Sequence, residues 1–227
     1  MTITTDARDA APDGTPARIL DAGMRAFARE GYAGATTRVI AAGAGVTLPV
    51  IAYHFGNKQG LHRACAEAIA DAYREHMLPL VLTARRSADS GGLSTAEARA
   101  WLDRLLDALV AAIAAEPERR LATDFVLREL SEQGPGYALL FKELWKPGIL
   151  LVADLLAIAR GRTSAGEAER TGALMLLASL TAFTTQAPVS LSVMGWDNLG
   201  DIQSTMIAGL ARQLLDGLVA DAGAPLG

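Results

Sequence analysis

Two short helical patterns separated by one glycine constrain the fold of this chain more than any other feature. They lie in residues 36–58, TTRVIAAGAGVTLPVIAYHFGNK. Thr36 is a suitable N-cap, because its hydroxyl accepts a hydrogen bond from an otherwise unpaired N–H of the first helical turn. Gly45 ends this helix, since glycine tolerates the left-handed backbone of a sharp turn. The positions expected to face inward are Val39, Ile40 and Gly43.

A second short helix is predicted from Leu48, with Thr47 as its cap. Pro49 fits the first turn, where a missing N–H costs nothing, and Ile51 and Phe55 point inward at a spacing of four residues. The side chains left mostly outside are Leu48, Pro49, Val50, Ala52, Tyr53 and His54. Two helices that meet steeply over a turn of three to four residues form a helix-turn-helix, whose second helix enters the DNA major groove by its N-terminal residues.

The residues of this segment resemble the N-terminal domain of the TetR family of bacterial transcriptional repressors. The matching residues are Thr36, Arg38, Ile40, Ala41, Ala44, Gly45, Val46, Tyr53, Phe55, Lys58 and Leu61. The YHFG sequence and a later MGWD sequence also resemble a branch with a CecR-like C-terminal domain. Ala52 departs from the pattern, which commonly has a polar or aromatic side chain there. The resemblance implies a ligand-responsive transcriptional regulator, usually a repressor.

Charge is distributed unevenly along the chain. Its net charge of −4 argues against a general nucleic-acid binder. Residues 15–63, however, hold six basic and two acidic side chains, a local charge of +4, so the remainder carries −8. A basic N-terminal unit on an acidic body is typical of a DNA-binding module joined to a module for another ligand or partner.

Hydrophobic content of 51%, few aromatics and abundant Ala and Leu favour an all-helical protein. We predict a disordered arm (1–14), a three-helix helix-turn-helix domain (15–60), a helical bundle for ligand binding and dimerisation (61–221) and a tail (222–227). The first helix is expected to begin at Thr15 and to end at Gly31. The helix from Lys58 is expected to run to Leu78, where Pro79 disrupts it, and residues 83–93 are expected to form a loop.

Further helices are predicted from capping residues and apolar periodicity. Ser94 and Glu97 form a capping box, and a helix from Pro117 is expected to reach about Gln133. A helix from Tyr137 to Ile158 should be kinked or divided at Pro147-Gly148. Another is expected to open on a box from Ser164 to Glu167 and to stop near Pro188. Asn198 is the expected cap of the last helix, whose face contains Ile202, Met206, Leu210, Leu214 and Leu218.

Several residue types bear on the compartment of the chain. Cys65, the single cysteine, lies at a core-like helix position, so no disulfide framework is predicted and a cytoplasmic location is expected. No signal peptide pattern opens the chain. Residues 171–196 contain no charge and are long enough to span a bilayer, but Gln186, Pro188 and several Ser and Thr favour a buried helix or a subunit interface.

The predicted DNA contacts follow from the helix-turn-helix. Phosphate contacts are expected from helix starts and basic groups, and base contacts from the start of the second helix. The predicted DNA-binding residues are Thr36, Thr37, Arg38, Thr47, Leu48, Pro49, Val50, Tyr53, His54 and Lys58. Double-stranded operator DNA is the expected partner.

The resemblance also implies a small-molecule site in the C-terminal helices, although core packing is the ordinary role of an aromatic side chain there. The predicted ligand-binding residues are Trp101, Leu105, Phe125, Phe141, Trp145, Phe183 and Gln186, and Thr184 and Thr185 are further polar candidates. We expect a small apolar or aromatic effector and a homodimer formed through the last two helices.

Catalytic and metal-binding patterns offer little. His54, His62 and His76 share no ligand-like spacing, so no metal site and no cofactor are predicted. His62 and His76 are expected on a helix surface or between domains. Two alternatives to a regulator remain: a helical small-molecule-binding protein without operator recognition, and a helical enzyme with an unrecognised site. The basic N-terminal segment disfavours the first, and the absence of a catalytic motif disfavours the second.

Overall fold

A computed structural model describes residues 14–76, 78–89, 92–114, 117–184 and 186–220, and the regular elements of these residues are helices. The predicted arm, apart from Gly14, and the predicted tail lie outside the described residues. The helices are α1 (Thr15–Gly34), α2 (Thr37–Ala44), α3 (Leu48–Phe55), α4 (Lys58–His76), α5 (Leu78–Asp89), α6 (Thr95–Ile113), α7 (Pro117–Glu132), α8 (Tyr137–Leu140), α9 (Lys146–Ala159), α10 (Glu167–Leu180), α11 (Ala187–Met194) and α12 (Asp201–Ala220). A π-helical turn (Phe141–Trp145) joins α8 to α9, and a 3₁₀ turn (Thr181–Phe183) follows α10.

α1 packs over the two short helices as its apolar periodicity predicts. Pro16 lies in its first turn, and the buried face includes Ile19, Ala26 and Phe27. Gly31, where the helix was expected to end, has a φ of 73° and a ψ of 175°, so the helical backbone is interrupted there and a short further turn reaches Gly34. Glycine is the residue that adopts this backbone without steric cost.

α4 and α5 differ from the prediction around Pro79. α4 ends at His76, and α5 continues to Asp89, so the loop expected over residues 83–93 is wrong for its first half. Pro79 lies in the first turn of α5, where the missing N–H breaks no helical bond. The buried side chains Val81 and Ala84 explain why these residues are helical, since they pack into the core with α6 and α9.

Three clusters of buried side chains hold the helices together. The first joins α1, α2, α3 and α4 to Phe125 of α7 and Leu140 of α8. The second contains residues of α5, α6, α9, α10 and α12, and the third lies between α6, α10 and α12. The helix-turn-helix therefore shares its core with two helices that follow it much later in the chain.

The last third of the chain also departs from the prediction. α10 begins at Glu167, and the Oε2 atom of Glu169 accepts the Gly166 N–H at 2.8 Å, whereas Gly166 has no side chain with which to complete a capping box. It ends at Leu180 rather than near Pro188. α12 begins at Asp201, and Asn198 is therefore not its cap. Secondary structure here depends on tertiary packing more than on the cap residues visible in the sequence.

Among the described residues, no single helix is long and apolar enough to cross a membrane. Two bent pairs pass the same test of length and composition when taken together: α2 with α3, bent by 99°, and residues 167–183 with α11, bent by 70°.

Candidate nucleic-acid interface and regulatory helices

The turn between α2 and α3 has the geometry predicted from the sequence. Thr36 Oγ1 accepts the Val39 N–H at 3.2 Å and caps α2. Gly45 follows α2 with a φ of 65° and a ψ of 38°, the left-handed conformation that a tight turn requires. The axes of α2 and α3 are bent by 99°, within the range of helix-turn-helix units.

Two local expectations for this unit are wrong. Val39 and Gly43 are exposed, and the inward face of α2 is formed by Ile40, Ala41 and Ala44. Thr47 occupies the N-cap position of α3, but its side chain makes no cap hydrogen bond.

α3 presents mainly apolar and aromatic groups outward. Tyr53 is 85% exposed and Leu48 is 44% exposed, while Pro49 and His54 are also exposed. Val50 is half-buried against the first core cluster. Leu48 and Pro49 lie in the first turn of α3, the part of a recognition helix that contacts base edges. Apolar groups of this kind contact thymine methyl groups and do not form bidentate hydrogen bonds.

The residues expected to contact phosphates surround α3. Thr36 and Arg38 are exposed, and Thr37 is half-buried at the start of α2. Asn57 caps α4 as predicted, because its Oδ1 accepts the Gly60 N–H at 2.9 Å. The ammonium group of Lys58 lies 3.4 Å from the Ala33 carbonyl oxygen and 4.7 Å from the centre of the Tyr32 ring. A phosphate contact by Lys58 would therefore compete with these contacts to α1.

The predicted ligand-binding residues do not form one group in the structure. Phe125 lies in the first core cluster, whereas Trp101 and Leu105 belong to the second. The Phe183 ring stacks on Trp196 at 6.2 Å beside the third cluster, and Gln186 is exposed. These positions are separated because α7 packs on α1 and not among α6, α9 and α10.

Phe141 and Trp145 are two of the predicted ligand-binding residues, and they begin and end the π-helical turn that precedes Pro147. Phe141 is 38% exposed and stacks on Tyr137 with ring centres 5.6 Å apart. Within the described residues, the buried Trp145 Nε1 has no hydrogen-bond partner. π-helical turns often occur at functional sites, and an unpaired buried donor suits a ligand acceptor. Pro147 lies in the first turn of α9, and the predicted helix is divided just before it by the π turn.

Two open clefts are found elsewhere. One of about 330 Å³ lies between α6 and α12 and is lined by Asp107, Val110, Ala111, Ser204, Thr205, Ala208 and Arg212. The other, of about 210 Å³, lies on α1 and α2 and contains Arg25, Arg29 and Glu30. Neither includes a predicted ligand-binding residue. Over the part of the chain that the structure describes, no group of three His, Cys, Asp or Glu side chains is arranged to hold a metal ion.

One buried polar pair was missed by sequence analysis. His62 and Glu129 are 1% and 2% exposed, and His62 Nε2 lies 3.0 Å from Glu129 Oε1. His62 was expected on a surface or between domains, and the second expectation is the correct one. The sequence signal for this pair was a histidine next to the apolar residues Leu61 and Cys65 of α4. Its partner could not be predicted, because Glu129 is 67 residues away in sequence.

The fold and this site define a helix-turn-helix protein with an N-terminal DNA-binding domain and a C-terminal helical domain. Residues 19–65 match the model of the bacterial regulatory proteins of the tetR family. This match covers the N-terminal helix-turn-helix segment of the chain.

Individual relatives agree with this assignment. The HTH-type transcriptional dual regulator CecR of Shigella flexneri is 41% identical over 69 residues, which are 30% of each chain. Matches to the curated relatives span 27 to 44% of those proteins. The fold is similar to that of a TetR-like transcriptional regulator from Rhodococcus sp. RHA1, with a TM-score of 0.56, 20% identity and coverage of 89% of this chain and 96% of that one. It is also similar to FadR of Bacillus subtilis in complex with stearoyl-CoA, with a TM-score of 0.55, 18% identity and coverage of 89% and 97%.

Proposed function

We propose that this protein is a ligand-responsive DNA-binding transcriptional regulator, acting as a repressor that a small apolar or aromatic effector releases from its operator. The exposed first turn of α3, held at 99° to α2, carries this proposal. The proposed units are a DNA-binding domain (15–60) and a regulatory and dimerisation domain (61–221). We propose a cytoplasmic location, since the operator DNA that it is proposed to bind lies in that compartment.

The regulator is proposed to act as a homodimer through α10 and α12. An exposed apolar stripe runs along α12 at intervals of four residues: Ile202, Met206, Leu210 and Leu214 are 46 to 76% exposed. Leu174 and Met175 of α10 are 51% and 65% exposed. Exposed apolar surface of this extent commonly marks a protein–protein interface. Leu176 of α10 is buried in the second core cluster and takes no part in the proposed interface.

The proposed effector site lies beside the π-helical turn. The complex of FadR with stearoyl-CoA supports an apolar effector for a protein of this fold. Trp145 and Phe141 support a site here, because one offers a buried donor and the other an exposed ring. A ligand alters DNA binding only through different affinities for the two states of the protein. Movement of α4, which starts at Lys58 beside the helix-turn-helix, is the proposed consequence of ligand binding.

A mobility-shift assay tests the function. The full chain is titrated onto DNA from upstream of its own gene, with a shuffled fragment of equal length as control. Retardation of the upstream fragment at a protein concentration at least about tenfold lower is expected, since specific sites exceed non-specific binding by larger factors. Equal binding of both fragments would favour the alternative of a small-molecule-binding protein without operator recognition.

The effector site needs a separate test. Stearoyl-CoA is added to the DNA complexes of the wild type and of Trp145→Ala, and coenzyme A without the acyl chain serves as control. We expect release of the wild type, weaker release of Trp145→Ala and no release by coenzyme A. Equal release of both proteins would remove Trp145 from the site, and no release would exclude this acyl chain as an effector.

A further inference from the structure

One buried carboxylate connects three segments that are distant in sequence. Glu129 of α7 contacts His62 of α4 through Oε1, and its Oε2 accepts the Gly136 N–H, at the turn before α8, at 2.7 Å. Both side chains are almost fully buried. A buried carboxylate is tolerated only when donors compensate for its lost hydration. These two donors therefore hold α4 and the turn at fixed positions relative to α7.

His62 also connects this pair to the surface beside α3. Its ring lies 4.6 Å from Phe27 and 5.0 Å from Tyr32, measured between ring centres. Tyr32 in turn contacts Lys58, whose ammonium group lies over the Tyr32 ring. A continuous series of contacts thus runs from the first turn of α4 to α7.

The turn at residues 134–136 is packed too tightly to move independently of Glu129. A Cβ atom at Gly134 would overlap Glu129 Oε1. A Cβ atom at Gly136 would lie 2.9 Å from Ala66 Cβ and 3.0 Å from Glu129 Oε2. A shift of the turn therefore displaces the carboxylate or removes one of its two donors.

The unpaired nitrogen of His62 limits how the pair can respond. His62 Nδ1 is buried and, within the described residues, has no hydrogen-bond partner. Nε2 is the ring nitrogen that faces the carboxylate, so the contact with Glu129 needs a hydrogen on Nε2. A ring rotation that moved Nε2 away from Glu129 would leave the carboxylate with one donor fewer. When Glu129 moves, His62 and the start of α4 have to follow.

We propose that the His62–Glu129 pair is a relay between the regulatory helices and the DNA-binding helices, with Glu129 as the positioning residue. Movement of the 134–136 turn, which leads directly into α8 and the π-helical turn, is transmitted through Glu129 to His62 and the first turns of α4. This inference rests on the proposed function. It adds α7 as a route to α4 that does not require α4 itself to contact the effector. Coupling of this kind requires a contiguous set of contacts with two arrangements.

Hydrogen exchange of the full-length protein tests the relay. Glu129→Gln keeps the shape of the side chain but removes the charge and one acceptor. Glu132→Gln, one turn further along α7 and partly exposed, is the matched control. Amide exchange is measured in residues 58–70 and 134–141, with and without DNA from upstream of the gene.

In the wild type and in Glu132→Gln, DNA is expected to slow exchange in both segments. In Glu129→Gln it should slow exchange in residues 58–70 only. Without DNA, Glu129→Gln should exchange about tenfold faster in both segments, as expected for the loss of one buried hydrogen bond. DNA binding by the wild type without any change in residues 134–141 would overturn the relay and leave the proposed function intact.

Two further outcomes keep the two proposals apart. If the wild type binds no upstream fragment, the proposed function fails. If amide exchange of Glu129→Gln without DNA equals that of the wild type, Glu129 does not hold α4 and the 134–136 turn, and the relay is overturned. If Glu129→Gln does not fold, the ring ¹⁵N resonances of His62 are measured in the wild type instead. They are identified by the buried, slowly exchanging Nε2–H. They should shift when DNA binds, and unchanged resonances in the DNA complex would overturn the relay.

Discussion

Arg38 is an exposed charge in the first turn of α2, where the helix-turn-helix unit predicts a contact with the DNA backbone. Arg38→Ala should weaken binding to every DNA sequence and lower the slope of log K against log[salt] by about 1, because a phosphate contact releases counterions without reading bases. Arg170→Ala, at an exposed position of α10, is the control and should leave the slope unchanged. An unchanged slope for Arg38→Ala would refute the phosphate contact. Substitutions at Leu48 or Val50 should instead change sequence preference.

Cys65 is fully buried between α1 and α4, and burial raises the pKa of its thiol to about 12. Because the thiolate is the reactive form, the native protein should resist thiol-specific reagents at pH 8 and react only after unfolding. The fraction of Cys65 that reacts is measured from the absorbance at the end point of a thiol titration, with and without denaturant. Rapid labelling of the native protein would show that the core around Cys65 opens.

Glu169 is buried where α9, α10 and α12 meet. Burial alone would raise the pKa of its carboxyl, but the Gly166 N–H, the Arg160 guanidinium at 2.8 Å and the charge of Arg162 lower the pKa overall. A lowered folded-state pKa stabilises the fold above the unfolded pKa, and this stability is lost as the pH falls through the folded pKa. Glu169→Gln should therefore lower Tm at pH 7.

The same reasoning fixes the pH dependence of this effect. The Tm difference between the wild type and Glu169→Gln should shrink as the pH is lowered below 4.5, the ordinary pKa of this carboxyl. Glu167→Gln, an exposed residue of the same turn, is the control and should have little effect at either pH. A Tm difference that is the same at pH 7 and pH 3 would contradict this role of the charge.

At the scale of elements, α12 has two faces of similar apolarity with different surroundings. Ile207, Ala208, Ala211 and Leu215 are buried within the subunit, whereas the stripe at Ile202, Met206, Leu210 and Leu214 is exposed. Leu210→Glu should split the proposed dimer, because a charge in a desolvated interface is costly. Light-scattering mass at micromolar concentration measures the effect. Ala100→Glu, at an exposed position of α6, is the control, and a monomeric wild type would refute the dimer.

At the scale of the whole molecule, two copies of α3 related by twofold symmetry predict a pseudo-palindromic operator. Their half-sites should be centred about 34 to 36 Å apart, one turn of DNA. Inserting five base pairs between the half-sites would place the second on the opposite face of the duplex. Affinity, measured by titration, should then fall to that of a single half-site. Unchanged affinity would show that the subunits bind DNA independently.

The sequence by itself determined those features that depend on interactions within one or two turns. The Thr36 cap, the Gly45 turn, the Asn57 cap, the Ser94–Glu97 box and the burial of Cys65 were all predicted and are present. The three caps each depend on a side chain and a backbone group a few residues apart, the turn depends on the backbone freedom of Gly45, and the burial of Cys65 follows from the apolar periodicity of α4. The helical class followed in the same way from apolar periodicity.

Tertiary structure decided what depends on contacts between distant segments. α7 packs on α1, which places Phe125 beside His62 and away from the other residues predicted to bind a ligand. The partner of His62 and the apolar stripe left exposed on α12 were set by the same packing. A periodic pattern shows that one face of a helix is apolar, but not which neighbour covers it. That choice depends on how all the helices fill the core together, and only the folded chain reveals it.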